Sequence, residues 1–482
     1  MELKTKLSSQ GYSLLKSELS SQQLRTIKND LKVEPFNYMK DEYNKTDDSF
    51  LLYKENSEKI YLPRYYGLEN FSIPKIVKLN KHSEINVNFK YNLRPIQNPI
   101  VKSYIQNINF ETGGGGVICA GCGVGKTVIS LYILSLLKVK TLILVHKEFL
   151  LNQWIDRIKE FLNSDLSIGR IQGKIIDVDK DIVIGMLQTV TKDKITKEHL
   201  KDFGLVIYDE CHHLGARMFS KSLAKTNFKY SLGLSATPER KDGLSKVFLW
   251  HLGKIVYRED KKTDNTVLVR NYKYINSDET YCKIVLNYKK QIQNPVIISN
   301  ISQCEKRNMF IISLLKPLLE EKRKILILSE RLIQIDFIFK KINEIYENYT
   351  VGKYIGKLKQ DQLDQALKCD VIVGSYSMIE EGFDCKELNT LIMATPKNSI
   401  EQAVGRILRI QPELRTVTPI IIDISDQFGN CIGKEKKRKT HYRKVKYNME
   451  EFSVDDNDVE CKIEKIESNL KKKENSIISY NF

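Results

Sequence analysis

The sequence predicts an α/β protein of two tandem parallel-sheet lobes, and three observations predict it. Strand-like apolar runs alternate with helix-like stretches from Phe89 to about Tyr257, and a second alternation begins near Asn308. Strands that alternate with helices pair in parallel, with helices on both faces. The third observation is local. Val117-Ile118-Cys119 leads into a glycine loop, and the helix-like Val128-Ile129-Ser130-Leu131 leaves it. A strand, a glycine loop and a helix in that order form a cradle for phosphate.

Residues 1–85 carry aromatic and charged side chains without a nucleotide motif and are expected to form a small accessory module. The first lobe is expected over 86–257, with strands at Thr141–Val145, Ile182–Met186, Leu205–Tyr208 and Tyr230–Ser235. Ligands of such sheets lie at the carboxyl ends of the strands, where Lys126, Asp209 and Ser235 fall. Residues 258–305 are polar and Tyr-rich and read as an inter-lobe linker. The second lobe follows over 306–430, with strands at Lys324–Ser329, Val371–Gly374, Thr390–Met393 and Pro419–Asp423 and no phosphate loop of its own. Residues 431–482 hold the run Lys434-Glu435-Lys436-Lys437-Arg438-Lys439 and are expected to be a flexible basic tail.

The loop itself reads Ala120-Gly121-Cys122-Gly123-Val124-Gly125-Lys126-Thr127. Its glycines allow backbone N–H groups to face a polyphosphate, Lys126 reaches the outer phosphates and Thr127 offers a hydroxyl to Mg²⁺. Ala120 replaces the glycine with which this pattern usually begins. Downstream, Leu205-Val206-Ile207-Tyr208 ends in Asp209 and Glu210. Asp209 is placed to hold Mg²⁺ through water, and Glu210 to take a proton from the attacking water. Cys211, His212 and His213 are adjacent but diverge, and no second Cys/His pair stands at zinc spacing. Cys119 and Cys122 likewise lack a partner pair, and an oxidant-sensitive Cys122 is a minor reading of the residue beside an inert one.

With the acidic pair in place, the chain resembles the superfamily 2 helicases and translocases, and Asp209-Glu210-Cys211-His212 reads as their DExH box. The resemblance implies RecA-like lobes with a nucleotide cleft between them, ATP and Mg²⁺ as cofactors, and a nucleic-acid track. It gives Ser235-Ala236-Thr237, Glu381-Gly382-Phe383-Asp384 and His212 coupling roles, in which Ser235, Thr237, Gly382 and Asp384 link hydrolysis to movement. Gln402-Ala403-Val404-Gly405-Arg406-Ile407-Leu408-Arg409 matches the family's Gln-x-x-Gly-Arg-x-x-Arg. On a helix Gln402, Arg406 and Arg409 would share one face, where a guanidinium can neutralise charge on the γ phosphate. Leu93-Arg94-Pro95-Ile96-Gln97 resembles the element whose glutamine reads the adenine edge, which makes Gln97 the candidate for ATP selection; an ordinary polar residue in a turn is the alternative.

Two longer stretches, Leu142 to Trp154 and Leu234 to Gly243, look like the XPB branch, which works on duplex DNA. Leu31 to Phe36 and Ile60 to Gly67 look like the poxvirus-type transcript-release helicases of large DNA viruses. One departure is Arg240-Lys241-Asp242, where XPB proteins usually carry Arg-Glu-Asp. Another is Ala403, where many members carry a further arginine.

Charge agrees with a polyanionic partner. The 482 residues include 77 Lys+Arg against 60 Asp+Glu, a formal net charge of +17. No apolar run approaches bilayer length and no apolar signal core opens the chain, so a soluble intracellular protein is expected, in the cytoplasm or a viral factory or virion, with the basic tail as a candidate nuclear-import signal. The reading is an ATP-dependent DNA helicase or translocase, moving 3′ to 5′ by resemblance, with RNA polymerase or transcription factors as candidate partners and no membrane. An RNA helicase is the alternative with the same engine. An ATP-gated clamp that binds nucleic acid without unwinding is the alternative from another class.

Overall fold

The computed structural model describes residues 3–35, 49–71, 73–110, 112–121, 123–212, 217–236, 238–240, 242–259, 263–356, 358–379, 383, 385–410, 412–454 and 460–462. The chain divides into two compact units, Met1–Asp260 and Lys261–Phe482.

The central strands of the first unit are continuous apolar runs. Thr141–Val145, Ile182–Met186, Leu205–Tyr208 and Tyr230–Ser235 are buried along almost their whole length. Strands of that composition need cover on both faces, the condition of a parallel sheet. Across the sheet the order is Ile175–Ile176, Ile168–Gln172, Ile182–Met186, Thr141–Val145, Leu205–Tyr208, Tyr230–Ser235, Gly113–Cys119, Ile255–Arg258. All these pairings are parallel except the first. One core lies on each face, the first around Ile143, Trp154 and Ile207 and the second around Leu144, Tyr208 and Phe248.

The strand that feeds the phosphate loop is longer than its apolar residues indicate, because it begins with four glycines, Gly113 to Gly116. They are there for want of space. A Cβ on Gly115 would stand 2.0 Å from Ser231 Oγ, and one on Gly116 2.4 Å from Val256 Cγ1.

The N-terminal module is a five-stranded sheet in the order Lys54–Glu55, Lys59–Leu62, Gly11–Leu15, Lys6–Ser8, Ile76–Lys78. Its inner face packs Tyr12, Leu14, Ile60 and Leu62 against Ile27 and Tyr66. Buried Arg64 fixes it to the first lobe by donating to Lys229 O and Thr112 O, both at 3.0 Å. Tyr66 adds an edge-to-face contact with Trp250 at 5.1 Å.

In the second unit the order is Val351–Tyr354, Val371–Ser375, Ile325–Ser329, Thr390–Met393, Ile420–Asp426, Leu268–Tyr274, Asn448–Val454, Glu460–Lys462, parallel except for the last pair. Each fully buried Ile or Leu in these strands contributes about 1.5 to 3 kcal/mol.

Two expectations require correction here. Leu268–Tyr274, expected within a linker over 258–305, is a strand between Ile420–Asp426 and Asn448–Val454. Its polar composition conceals this because Asn271, though polar, is fully buried and donates its amide N–H to Ser425 Oγ at 2.7 Å. The start of the expected flexible tail is the helix Cys431–Lys444, with Cys431, Glu435, Arg438 and Tyr442 inward. Arg438, 1% exposed, is neutralised by Asp423 at 2.8 Å and also donates to Lys397 O at 2.9 Å. Tyr442 donates to the same carboxylate at 3.0 Å. Part of the charge that reads as solvated in the sequence, Glu435, Arg438 and Lys439, is here internal and paired, while Lys436 and Lys437 are exposed. Among the described residues no helix is long and apolar enough to cross a membrane.

Candidate nucleotide site

Ala120, next after the glycine-rich strand, donates its N–H to Ser235 O at 3.1 Å, so the phosphate loop starts in register with the strand that carries the Ser-Ala-Thr element. Gly123 and Gly125 take φ of 86° and 89°, the left-handed region that glycine enters without strain. Gly125 caps the helix Lys126–Leu137. Lys126 Nζ donates to Ala120 O at 2.9 Å and Gly121 O at 3.5 Å, which holds the ammonium over its own loop. Val124 is buried and Thr127 half-buried beside it. Cys122 lies outside the described residues.

The loop is braced from behind by residues of the upstream turn. Gln97, 2% exposed, donates Nε2–H to Val124 O at 2.9 Å and accepts the Arg94 N–H at 2.9 Å. The Arg94 guanidinium donates to Gly123 O at 2.8 Å and to Val124 O. Gln97 was expected to read an adenine edge, yet both groups of its amide are engaged by the protein. On the other side Glu259 accepts the Gly121 N–H at 2.7 Å, while its own N–H donates to Cys119 O. Arg94 and Glu259 were not singled out from the sequence.

The strand Leu205–Tyr208 delivers two carboxylates with different surroundings. Asp209 Oδ2 accepts the indole N–H of Trp154 at 2.9 Å, and Oδ1 accepts the Glu210 N–H at 3.1 Å. Burial first, and the neighbouring Glu210 second, push the Asp209 carboxyl up to about 6; Trp154 and the Lys126 charge pull the other way. Trp154 belongs to the helix Glu148–Phe161 and is 2% exposed. Its contact with the acidic pair joins elements 55 residues apart, which no local pattern announces.

Glu210 sits at φ 48°, a left-handed conformation that costs a non-glycine residue about 1 kcal/mol or more. Its Oε2 is buried without a hydrogen bond among the described residues, and His212 Nδ1 lies 3.4 Å away. The same His212 nitrogen is 3.0 Å from Ser235 Oγ, so the acidic box and the Ser-Ala-Thr element are in contact. Arg240 donates to His212 O and pairs with Asp242, Nε to Oδ1 at 2.9 Å. Lys241, His213 and Thr237 lie outside the described residues. Burial pushes the Cys119 thiol up to about 12 and raises that of Cys211 as well, which suits inert packing residues.

In the second unit, Arg406 Nη1 donates to Phe383 O at 3.1 Å, and Arg409 Nη2 donates to the same carbonyl. The expected shared helix face does not exist, since the helix Glu401–Val404 stops short of both arginines. Convergence on Phe383 brings the two side chains together instead. Gln402, half-buried, lies in that short helix. Gly382 and Asp384 lie outside the described residues.

The residues present fit a nucleoside triphosphate with Mg²⁺. A helix N-terminus behind left-handed glycines supplies N–H donors for phosphate. Thr127 and Asp209 supply the hard oxygen donors that Mg²⁺ prefers. Lys126 and Asp209 are close enough for their charges to interact.

Residues 90–240 match the family model of the type III restriction enzyme res subunit, and residues 305–411 match the helicase conserved C-terminal domain. The chain is 37% identical over 460 residues, 94% of its own length and 88% of the relative's, to a protein of Acanthamoeba polyphaga mimivirus named as an ATP-dependent RNA helicase. It is 27% identical over 427 residues to a protein of Invertebrate iridescent virus 6 named as a helicase, covering 84% and 92% of the two chains. Among solved structures, a fragment of an HsdR subunit of a type I restriction enzyme from Vibrio vulnificus superposes with a TM-score of 0.55 at 15% identity, over 78% of this chain and 71% of that one. Dbp5 of S. cerevisiae, bound to RNA and ADP BeF3, gives 0.51 at 11% identity, over 75% and 94%. At these identities the superpositions show the fold, that of RecA-like helicase cores.

Proposed function

This chain belongs to the superfamily 2 helicases, ATP-hydrolysing enzymes that act on nucleic acid, and from that premise we propose that it is a DNA translocase of the XPB-like branch that moves 3′ to 5′ and serves viral transcript release. The observation that carries the ATPase part is the joined set of Lys126, Asp209, Glu210, His212 and Ser235. In this reading the phosphate loop and Lys126 hold the triphosphate, and Asp209 and Thr127 hold Mg²⁺. Glu210 accepts a proton from water at its unbonded oxygen, and His212 with Ser235 reports hydrolysis to the rest of the lobe. Arg406 and Arg409 supply positive charge to the γ phosphate, an effect worth about 10³ to 10⁵ in rate where such arginines act. Gln402 acts with the two arginines in the catalytic set, and Thr237, Gly382 and Asp384 complete the coupling set by their match to the family motifs.

Support for DNA comes from the XPB-like spelling of Leu142 to Trp154 and of Leu234 to Gly243, and from the restriction-enzyme family that residues 90–240 match. A second reading, an RNA track, is favoured by the printed names of viral relatives, among them an ATP-dependent RNA helicase of African swine fever virus at 27% identity over 349 residues. Steady-state ATPase with no polynucleotide, single-stranded DNA, duplex DNA and RNA separates them. Stimulation by duplex DNA, lost in Arg406→Ala and in Arg409→Ala, is the expected result. Stimulation by RNA alone replaces the first reading with the second, and near-normal rates in both arginine variants remove their assignment.

A further inference from the structure

The N-terminal sheet has one face in its core and one outside it, and the outer face is cationic. Strand register places Lys54 opposite Tyr61, Tyr61 opposite Ser13, Ser13 opposite Lys6, and Lys6 beside Ile76, one row across all five strands. Directly opposed side chains lie on the same face, and this row alternates with the buried Leu7, Tyr12, Leu14, Ile60 and Leu62. Lys59, opposite Leu15, and Lys78, beside Ser8, extend the same face. Neighbouring strands are about 4.8 Å apart, so a five-strand row spans about 19 Å.

No strand residue on this face is acidic. The one carboxylate in the five strands, Glu55, is opposite core residue Ile60 and is held between Lys16 at 2.6 Å and Lys28 at 2.7 Å. Near the middle of the face lies an open cavity of about 240 Å³, rimmed by Lys4, Lys6, Lys59 and Lys75 over Leu15 and Ile76. Ile76 is 57% exposed. Like charge continues onto the adjoining lobe, where burial and then Lys54 lower the Lys197 ammonium to about 8.

We propose that this outer face is a second nucleic-acid contact, which takes the phosphate backbone through Lys4, Lys6, Lys54, Lys59 and Lys75 while Tyr61 and Ile76 pack against sugars. The proposal rests on the nucleic-acid reading above and assigns the module the task of holding the track apart from the nucleotide site. Lysines dispersed over an apolar floor suit a repeating phosphate charge and read no sequence. An acidic protein segment would meet the same charges and is the occupant that the test separates.

The experiment uses the full chain carrying Lys4→Gln, Lys6→Gln, Lys59→Gln and Lys75→Gln, none of which touches the nucleotide site. Binding to a short duplex DNA, to single-stranded RNA and to polyglutamate is measured by anisotropy over a range of salt. Basal ATPase and the melting curve serve as controls on the fold, and Lys54→Gln with Lys78→Gln is a second variant at the edges of the sheet. Each lost phosphate contact lowers the slope of log K against log salt by about 0.9, so the expected drop on the preferred nucleic acid is about 2 to 4, with affinity at least about 10-fold lower at low salt. An unchanged slope in a variant with normal basal ATPase overturns the proposal, as does lost polyglutamate binding with nucleic-acid binding intact. A wild-type chain that binds neither nucleic acid overturns the functional reading as well, which distinguishes the two failures.

Discussion

Trp154→Phe isolates one hydrogen bond, the indole N–H to Asp209 Oδ2 at 2.9 Å. Phenylalanine keeps the aromatic ring in a core position that is 2% exposed and removes only the donor and part of the ring area. A hydrogen bond to a charged group contributes about 1.5 to 3 kcal/mol, and each 1.4 kcal/mol is about a factor of 10. Loss of an outer-shell partner of a metal ligand typically weakens metal affinity about 10- to 100-fold. With Asp209 as the proposed Mg²⁺ ligand, half-saturating Mg²⁺ for ATP hydrolysis therefore rises about 10-fold or more. The rate at saturating Mg²⁺ recovers toward wild type, because Lys126, Glu210 and the arginines are untouched. The assay is ATPase rate against Mg²⁺ at fixed ATP, with a melting curve to show that the fold persists. The packing loss is smaller than the about 3 to 5 kcal/mol of a full Trp→Ala truncation. Wild-type Mg²⁺ dependence in a folded Trp154→Phe protein would refute the argument that this indole orients the carboxylate.

Other outcomes follow from the same geometry. Asp209→Asn abolishes turnover yet raises the melting temperature at pH 8: the folded carboxyl titrates at about 6 against about 4 when unfolded, so its ionisation opposes folding above pH 6, by on the order of 1 kcal/mol or more, and the gain vanishes below pH 4. Equal melting temperatures at pH 8 would contradict that. Gln97→Ala weakens ATP and GTP alike in a nucleotide-binding titration, because its amide braces Val124 O and the Arg94 N–H; selective loss of ATP would restore the adenine-reading role. Arg438→Ala leaves Asp423 as a buried, unpaired charge and costs about 3 to 5 kcal/mol in chemical denaturation, whereas truncation of a flexible tail would cost almost nothing.

The sheet strands were legible because burial on both faces demands unbroken apolar runs. Thr141–Val145, Ile182–Met186, Leu205–Tyr208, Tyr230–Ser235 and Thr390–Met393 have the boundaries their composition indicates. Other features were hidden, each for a physical reason. Gly113 to Gly116 form strand where composition reads as loop, because neighbouring backbone and side-chain atoms leave no room for side chains. Asn271 and Arg438 are internal, the one donating to Ser425 and the other paired with Asp423, and those partners are remote in sequence. Within the site, Lys126, Asp209 and Glu210 announce themselves by local spacing. Trp154, Arg94 and Glu259 act across 55, 29 and 138 residues respectively, and only the folded chain brings them to the loop and the acidic pair.

Triplex displacement on duplex DNA tests the central claim most directly, since a third strand is removed only by a protein that moves along the duplex. The account predicts ATP-dependent displacement by the wild-type chain and none by Glu210→Gln, which still binds nucleotide. No displacement by the wild type under conditions where it hydrolyses ATP and unwinds RNA would contradict it.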